Sequence, residues 1–173
     1  TVATGILHDA AFGENREREN KGVKASGAVL RLLDANLNRC REGLRVLEDT
    51  ARFLWNEPAL YESLRGVRHR LDELTRDFYP DLVRARGSAE DPGRRIPEAA
   101  RRDLPGLLAA NCRRCEESLR VLEEYGKLFG GRAAIEFKEM RYRIYDLEIK
   151  VLAKKDILTL TLTLSLRERV SWV

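Results

Sequence analysis

The feature that most constrains this chain is an internal repeat. Residues 32–54 read LLDANLNRCREGLRVLEDTARFL, and residues 107–129 read LLAANCRRCEESLRVLEEYGKLF. The two segments align without a gap at an offset of 75, and 12 of the 23 positions are identical. The segment 137–147 also aligns with 64–74, at an offset of 73. We interpret the chain as an internal duplication whose repeating unit is a helical hairpin.

Both repeats have the composition and length of helices. They are rich in Leu, Arg and Glu and contain no Pro, and their apolar residues recur at a helical period. The sequence therefore predicts an all-α fold in which duplicated helical hairpins form a pseudo-two-fold bundle. The predicted domains are a flexible segment at 1–25, a duplicated helical domain at 26–156 with repeats at about 28–79 and 103–155, and an appended low-complexity tail at 157–173.

Two polar residues interrupt the apolar face of each repeat. On a helical wheel, Asn36 lies in the middle of the apolar arc and Arg39 lies inside it, and Asn111 and Arg114 occupy the same places in the second repeat. An inward arginine is costly unless an anion or several acceptors meet it. One such pair could simply fix a partner helix, but a duplicated pair could bring both arginines to one cleft. Arginine is well suited to phosphate and carboxylate, so we treat these four residues as a candidate anion-binding and catalytic set.

Four acidic residues lie at the edges of the same arcs. Glu42 and Glu117 lie at one edge, and Glu48 and Glu123 lie at the other. Carboxylates at these positions could hold Mg²⁺ beside a bound anion. They could equally pair with neighbouring arginines, and the sequence leaves both alternatives open.

Composition excludes several classes of function. The net charge of +4 is small and the basic residues alternate with acidic ones, so nucleic acid is not an expected partner. No apolar run reaches the length of a membrane span, and the first residues lack the order of a signal peptide, so we expect a cytoplasmic protein. The three cysteines, Cys40, Cys112 and Cys115, lie on apolar helix faces and are predicted to pack in the core.

The connector between the repeats, residues 86–97, reads RGSAEDPGRRIP and is the most loop-like stretch in the body of the chain. Such a loop could be a plain linker, but binding groups also collect on loops of a rigid scaffold. Arg86, Asp91 and Gly93 are therefore candidate binding residues. The basic cluster of Arg65, Arg68, His69 and Arg70 is interpreted as a solvated helix face.

The motifs LDANLNRCREGLRVLEDTARF and AANCRRCEESLRVLEEYGKL, with DPG between them, resemble a helical family of thiamin biosynthesis. Its members occur alone or fused in front of thiamine phosphate synthase. The resemblance covers about residues 28–153 and implies a hydroxymethylpyrimidine phosphate kinase that uses ATP and Mg²⁺. By position it carries over these motif residues: Asn36, Arg39, Glu42, Arg45, Glu48, Asp49, Asn111, Arg114, Glu117, Arg120 and Glu123.

The connector fits this family only in part. Arg86, Asp91 and Gly93 match its RDxxxDVG pattern, whereas Gly87 replaces an acidic residue and Pro92 an apolar one. The implied partners are a small phosphorylated pyrimidine and, functionally, thiamine phosphate synthase, with oligomeric state left open. Two alternatives remain, namely a non-catalytic module that binds thiamin intermediates or docks on the synthase, and a structural helical dimerisation domain.

Overall fold

The computed structural model describes residues 26–96, 100–129 and 131–154, and within these ranges the chain is helical and contains no strand. The prediction of an all-α fold is confirmed. The predicted segments 1–25 and 157–173 lie outside the described residues. The helices are α1 (Gly27–Asp49), α2 (Pro58–Thr75), α3 (Tyr79–Ala85), α4 (Leu104–Gly126) and α5 (Arg132–Ala153). α1 continues as a π-helical turn, Thr50–Leu54, and short 3-10 turns lie at Ser88–Glu90, Pro92–Arg95 and Lys127–Phe129.

Local sequence explains where the helices begin. The Ser26 hydroxyl accepts a hydrogen bond from Val29 N, and the Asp103 carboxylate accepts one from Gly106 N, as expected for N-cap residues. Pro58 occupies the first turn of α2, where its missing N–H costs nothing. The sequence alone predicts a second helix from about 58 to 79 that ends or kinks at Pro80. Instead α2 ends at Thr75, and Pro80 lies in the first turn of α3.

α1 and α4, the helices that carry the repeated motif, pack directly against each other. α1 also contacts α2 and α3, while α4 packs against α5. Leucines and the three cysteines fill the space between these helices, so the predicted core position of the cysteines is confirmed. Burial raises the pKa of the Cys112 thiol to about 12, which keeps that thiol protonated and unreactive at neutral pH.

The crossing of α1 and α4 is unusually close. The Cys115 Sγ lies 3.5 Å from the Cys40 carbonyl oxygen, a pair of equivalent positions in the two repeats. A Cβ at Gly43 would lie 2.7 Å from Cys115 Sγ and 3.0 Å from the Asn111 carbonyl oxygen. Residue 43 therefore needs to be glycine. Because position 43 meets 111 while 40 meets 115, the two helices run antiparallel at the crossing.

One predicted surface residue is buried. On a helical wheel drawn from Asn36, Asp34 falls on the solvent side of α1, but the residue is only 3% exposed. Arg86 donates two hydrogen bonds to it, both of 2.7 Å. The prediction for Asp34 is wrong because α3 and the start of the connector cover that side of α1, which a single-helix wheel cannot show.

Candidate functional site

An open cleft of about 470 Å³ lies beside the crossing of α1 and α4. One face of α4 supplies most of the lining, at the spacing of three and four residues that places side chains on one side of a helix. α1 supplies two residues, and the segment before α4 supplies one. We call this the arginine cleft, and its lining consists of Asn36, Arg39, Arg101, Ala110, Arg113, Arg114, Glu117, Ser118 and Val121.

The cleft brings together four of the predicted site residues. Asn36, Arg39, Arg114 and Glu117 all line it, so the duplicated arginines do meet at one site. Arg39 is exposed, however, whereas the helical wheel placed it inward. Its long side chain lets the guanidinium group stay hydrated at the edge of the cleft while its Cα lies over the apolar face. Arg114 is half-buried.

Asn36 and Asn111 keep the same internal contact but differ in position. Each side-chain amide donates to the backbone carbonyl four residues earlier, over 2.9 Å from Asn36 and 2.8 Å from Asn111. That hydrogen bond fixes the orientation of the amide. Asn111 is buried against Gly43 of α1 and, among the described residues, is not part of the cleft lining. Only one of the two predicted amides is therefore placed to contact a ligand there.

Two further arginines give the cleft its charge. Arg101 and Arg113 join Arg39 and Arg114, so four cationic groups stand against one carboxylate, that of Glu117. The formal excess is three positive charges within a volume suited to a small molecule. Sequence reasoning missed Arg101 and Arg113 because it followed only residues shared by the two repeats. The signal for Arg113 is its spacing of four from Glu117, a residue already assigned to the site.

Glu48 and Glu123 form ion pairs with arginines of α2 and α5. Arg68 donates to the two carboxylate oxygens of Glu48, over 2.6 and 3.1 Å. Arg141 donates twice to Oε2 of Glu123, over 3.0 and 2.7 Å. Both carboxylates are buried, Glu48 completely. The alternative of arginine pairing, which the sequence left open, describes these two residues.

The arginine partners themselves were overlooked. The interpretation of the basic cluster as a solvated helix face is wrong for Arg68, which is half-buried against Glu48. The sequence does contain a signal for these partners. Arg68 and Arg141 are equivalent at the offset of 73, just as Glu48 and Glu123 are equivalent at the offset of 75. Burial tends to raise the pKa of Glu123, but the hydrogen bonds and positive charge of Arg141, with Arg120 adding to them, hold that pKa below its ordinary value.

The structure does not place the remaining predicted metal and binding residues in the cleft. Glu42 is exposed and is not among the lining residues. In the ranges described, no group of three or more His, Cys, Asp or Glu side chains could hold a metal ion. A metal at this site would therefore depend on a ligand for most of its coordination.

The candidate residues of the connector make contacts that attach it to α1. Arg86 donates hydrogen bonds to Asp34, and the Asp91 carboxylate lies 3.7 Å from the Arg31 guanidinium. The Asp91 Oδ1 also accepts a hydrogen bond of 2.8 Å from Gly93 N, which caps the 3-10 turn. None of the three is part of the lining of the arginine cleft.

Comparison with known proteins gives a family and a set of longer relatives. The ThiD2 family model matches residues 31–150. A thiamine-phosphate synthase of Synechocystis is 44% identical over 131 residues, which is 74% of this chain and 37% of that protein. The thiamine-phosphate synthases of Synechococcus strain CC9605 and Rhodopirellula baltica are 43% and 40% identical and are covered to 35% and 36% of their length. The chain thus spans about a third of these relatives.

The remaining comparisons are negative. No solved structure is significantly similar to this chain. Among the described helices, none is both long and apolar enough to cross a membrane.

Proposed function

Because the chain belongs to the ThiD2 family, which its match over residues 31–150 shows, we propose that it acts in thiamin biosynthesis as a hydroxymethylpyrimidine phosphate kinase. The reaction moves the γ-phosphoryl group of ATP onto the phosphate of the pyrimidine. The products are ADP and the pyrimidine diphosphate that a thiamine-phosphate synthase consumes. The observation that carries the proposal is the arginine cleft, with four guanidinium groups around a space of small-molecule size.

The charge of the cleft suits phosphoryl transfer. This reaction needs positioning and neutralisation of charge more than covalent chemistry. Arg39 and Arg114 come from different helices and face one space, so they can hold an acceptor phosphate and a donor phosphate side by side. A guanidinium group donates two parallel hydrogen bonds to a phosphate, which fixes orientation as well as distance. The oriented amide of Asn36 then positions the pyrimidine or the attacking oxygen.

Mg²⁺ fits the cleft only as a partner of the nucleotide. Glu117 is the one carboxylate among the lining residues, and a metal bound through one carboxylate and the phosphates of ATP is an ordinary arrangement for Mg²⁺. The ion would supply further charge neutralisation at the transferred group. Glu48 and Glu123 are less suited to this role, because binding a metal there would leave Arg68 and Arg141 without their partners.

The proposal is tested by substituting one arginine of the cleft. The variant Arg39→Ala removes a charged donor from an exposed side chain, so the fold should be unaffected. We expect formation of ADP from ATP, Mg²⁺ and hydroxymethylpyrimidine phosphate to fall by about 10²–10³-fold, the usual effect of losing one preorganised donor. Arg65→Ala is the control, because Arg65 is an exposed arginine of α2 and is not among the lining residues of the cleft. A folded Arg39→Ala protein with the turnover of the parent would rule out the assignment.

A second function is favoured by the names and lengths of the relatives. They are called thiamine-phosphate synthases, and only 37% and 35% of the length of the first two is matched by this chain. The chain could therefore serve as a non-catalytic module that binds a thiamin intermediate for a synthase. Binding of hydroxymethylpyrimidine phosphate by calorimetry, with no ADP formed in the presence of ATP and Mg²⁺, would select this module over the kinase.

A further inference from the structure

The outer face of α5 carries an apolar stripe. Ile135, Tyr142 and Ile149 are 63%, 52% and 71% exposed, and they follow one another at intervals of seven residues. At 1.5 Å per residue the stripe is about 21 Å long. The opposite face of α5 packs on α4 through buried residues such as Phe137 and Ile144, so the stripe plays no part in the core of its own subunit.

The fold itself does not require an apolar surface there. At the offset of 73 that relates α5 to α2, the three residues of the stripe correspond to three polar residues, two on α2 and one directly after its end. These are all exposed and are Glu62, His69 and Arg76. Two helices with equivalent packing therefore differ on the outside, one polar and one apolar. An apolar stripe that packing does not explain indicates contact with another surface.

We propose that this stripe is the contact surface of a homodimer, in which α5 of one subunit packs in parallel against α5 of the other. The heptad spacing puts Ile135, Tyr142 and Ile149 at one repeating position of a two-helix seam. Ile135 and Ile149 are β-branched, and β-branched residues at the a position of a coiled coil favour two-stranded parallel pairing. Tyr142 is already held in place, because Tyr145 packs edge-to-face on it at 5.7 Å and the Arg141 guanidinium lies 5.0 Å from its ring.

Charge selects the parallel direction over the antiparallel one. At 100° per residue from Tyr142, Lys138 lies about 40° to one side of the stripe, and Glu139 and Asp146 lie about 60° and 40° to the other. A two-fold axis along the seam brings Glu139 opposite the partner subunit's Lys138, and the symmetry makes this ion pair twice. An antiparallel arrangement would instead place Glu139 opposite the partner subunit's Asp146, which repels it. The stripe is thus self-complementary in the parallel sense.

The first experiment measures association of the full 173-residue chain by sedimentation velocity from about 1 to 200 μM. One helix per subunit is a small interface, so we expect a dimer with a dissociation constant on the order of 10 μM. Ile149→Glu should weaken dimerisation at least tenfold, whereas Arg76→Glu, at the equivalent position directly after α2, should leave it unchanged. A monomer throughout this range overturns the proposal.

The second experiment tests direction. Lys138→Glu should weaken the dimer, and the double variant Lys138→Glu/Glu139→Lys should restore it, because the exchanged pair can form again only in the parallel arrangement. Under oxidation Ile149→Cys should cross-link to itself, since each Ile149 faces its counterpart, while the buried native cysteines stay unreactive. A cross-link that forms only between Ile135→Cys and Ile149→Cys subunits would show antiparallel packing and overturn the parallel seam. A dimer whose dissociation constant is unchanged by all these substitutions would use another surface, and the proposal would be overturned.

Discussion

The buried pair of Glu123 and Arg141 gives a sharp test of what holds the second repeat together. The Arg141 side chain is 10% exposed and the Glu123 side chain 6%, and two hydrogen bonds of 3.0 and 2.7 Å join them. Replacing Arg141 with Met keeps an unbranched, flexible side chain and a similar helix propensity, and it removes the guanidinium group. The substitution leaves a carboxylate buried without its main partner, a change that costs about 3–5 kcal/mol.

The expected loss lies at the lower end of that range. Arg120 donates to the other oxygen of Glu123 over 3.0 Å, but it is exposed and solvent screens it. We therefore expect Arg141→Met to lower the free energy of unfolding by about 3 kcal/mol at pH 7 in guanidinium titrations followed by helical circular dichroism. The matched control is Arg143→Met on the same helix, which removes an exposed arginine and should change stability by less than about 0.5 kcal/mol.

The dependence on pH checks the cause. In the parent the folded pKa of Glu123 lies below its ordinary value of 4.5, so its contribution to stability is present above that pH and is lost in acid. In Arg141→Met the pKa of Glu123 in the folded state should lie above that value, because burial is then no longer opposed by Arg141. The variant should therefore recover stability relative to the parent between pH 7 and pH 4. A difference that stays constant over this range, or one below about 1 kcal/mol at pH 7, would refute the reasoning.

Two other predictions concern α1 and α4. Gly43→Ala places a methyl group 2.7 Å from Cys115 Sγ and should destabilise the protein by about 1–2 kcal/mol in the same titrations, whereas Gly27→Ala, which meets open space, should not. Burial and the neighbouring Glu148 carboxylate raise the pKa of Glu116 to about 7, so the parent loses stability as pH rises from 4.5 through 7. Glu116→Gln should remove this loss and be more stable than the parent by about 1–2 kcal/mol at pH 8, and this difference should fall to near zero by about pH 4 in thermal melts.

The helices were predictable because their signals are local. The period of the apolar residues, the caps at Ser26 and Asp103 and the proline at the start of α2 all act within one turn of backbone. The same local reasoning failed for Asp34 and Arg68. Both lie on sides of their helices that another element covers, and a wheel drawn for one helix treats any polar face as solvated.

The contents of the site were predictable only where the two repeats agree. Asn36, Arg39, Arg114 and Glu117 were found because they recur, and they do line one cleft. Recurrence also led to Glu48 and Glu123. There the repeated feature is an ion pair, which joins α1 to α2 in the first repeat and α4 to α5 in the second. A repeated polar residue can therefore mark either a site or a shared structural contact. The distinction rests on whether a second chain element supplies a partner, which depends on packing.

The asymmetry of the cleft follows from residues that differ between the repeats. Asn38 stands where the second repeat has Arg113, and Gly43 stands where it has Ser118. Gly43 lets α1 lie close to the backbone of Asn111, and Ser118 and Arg113 line the cleft near Asn36. Duplication alone would give two equivalent half-sites, each with one asparagine and one arginine. Divergence at a few positions therefore makes the two halves unequal and adds the charge of Arg113 to the cleft.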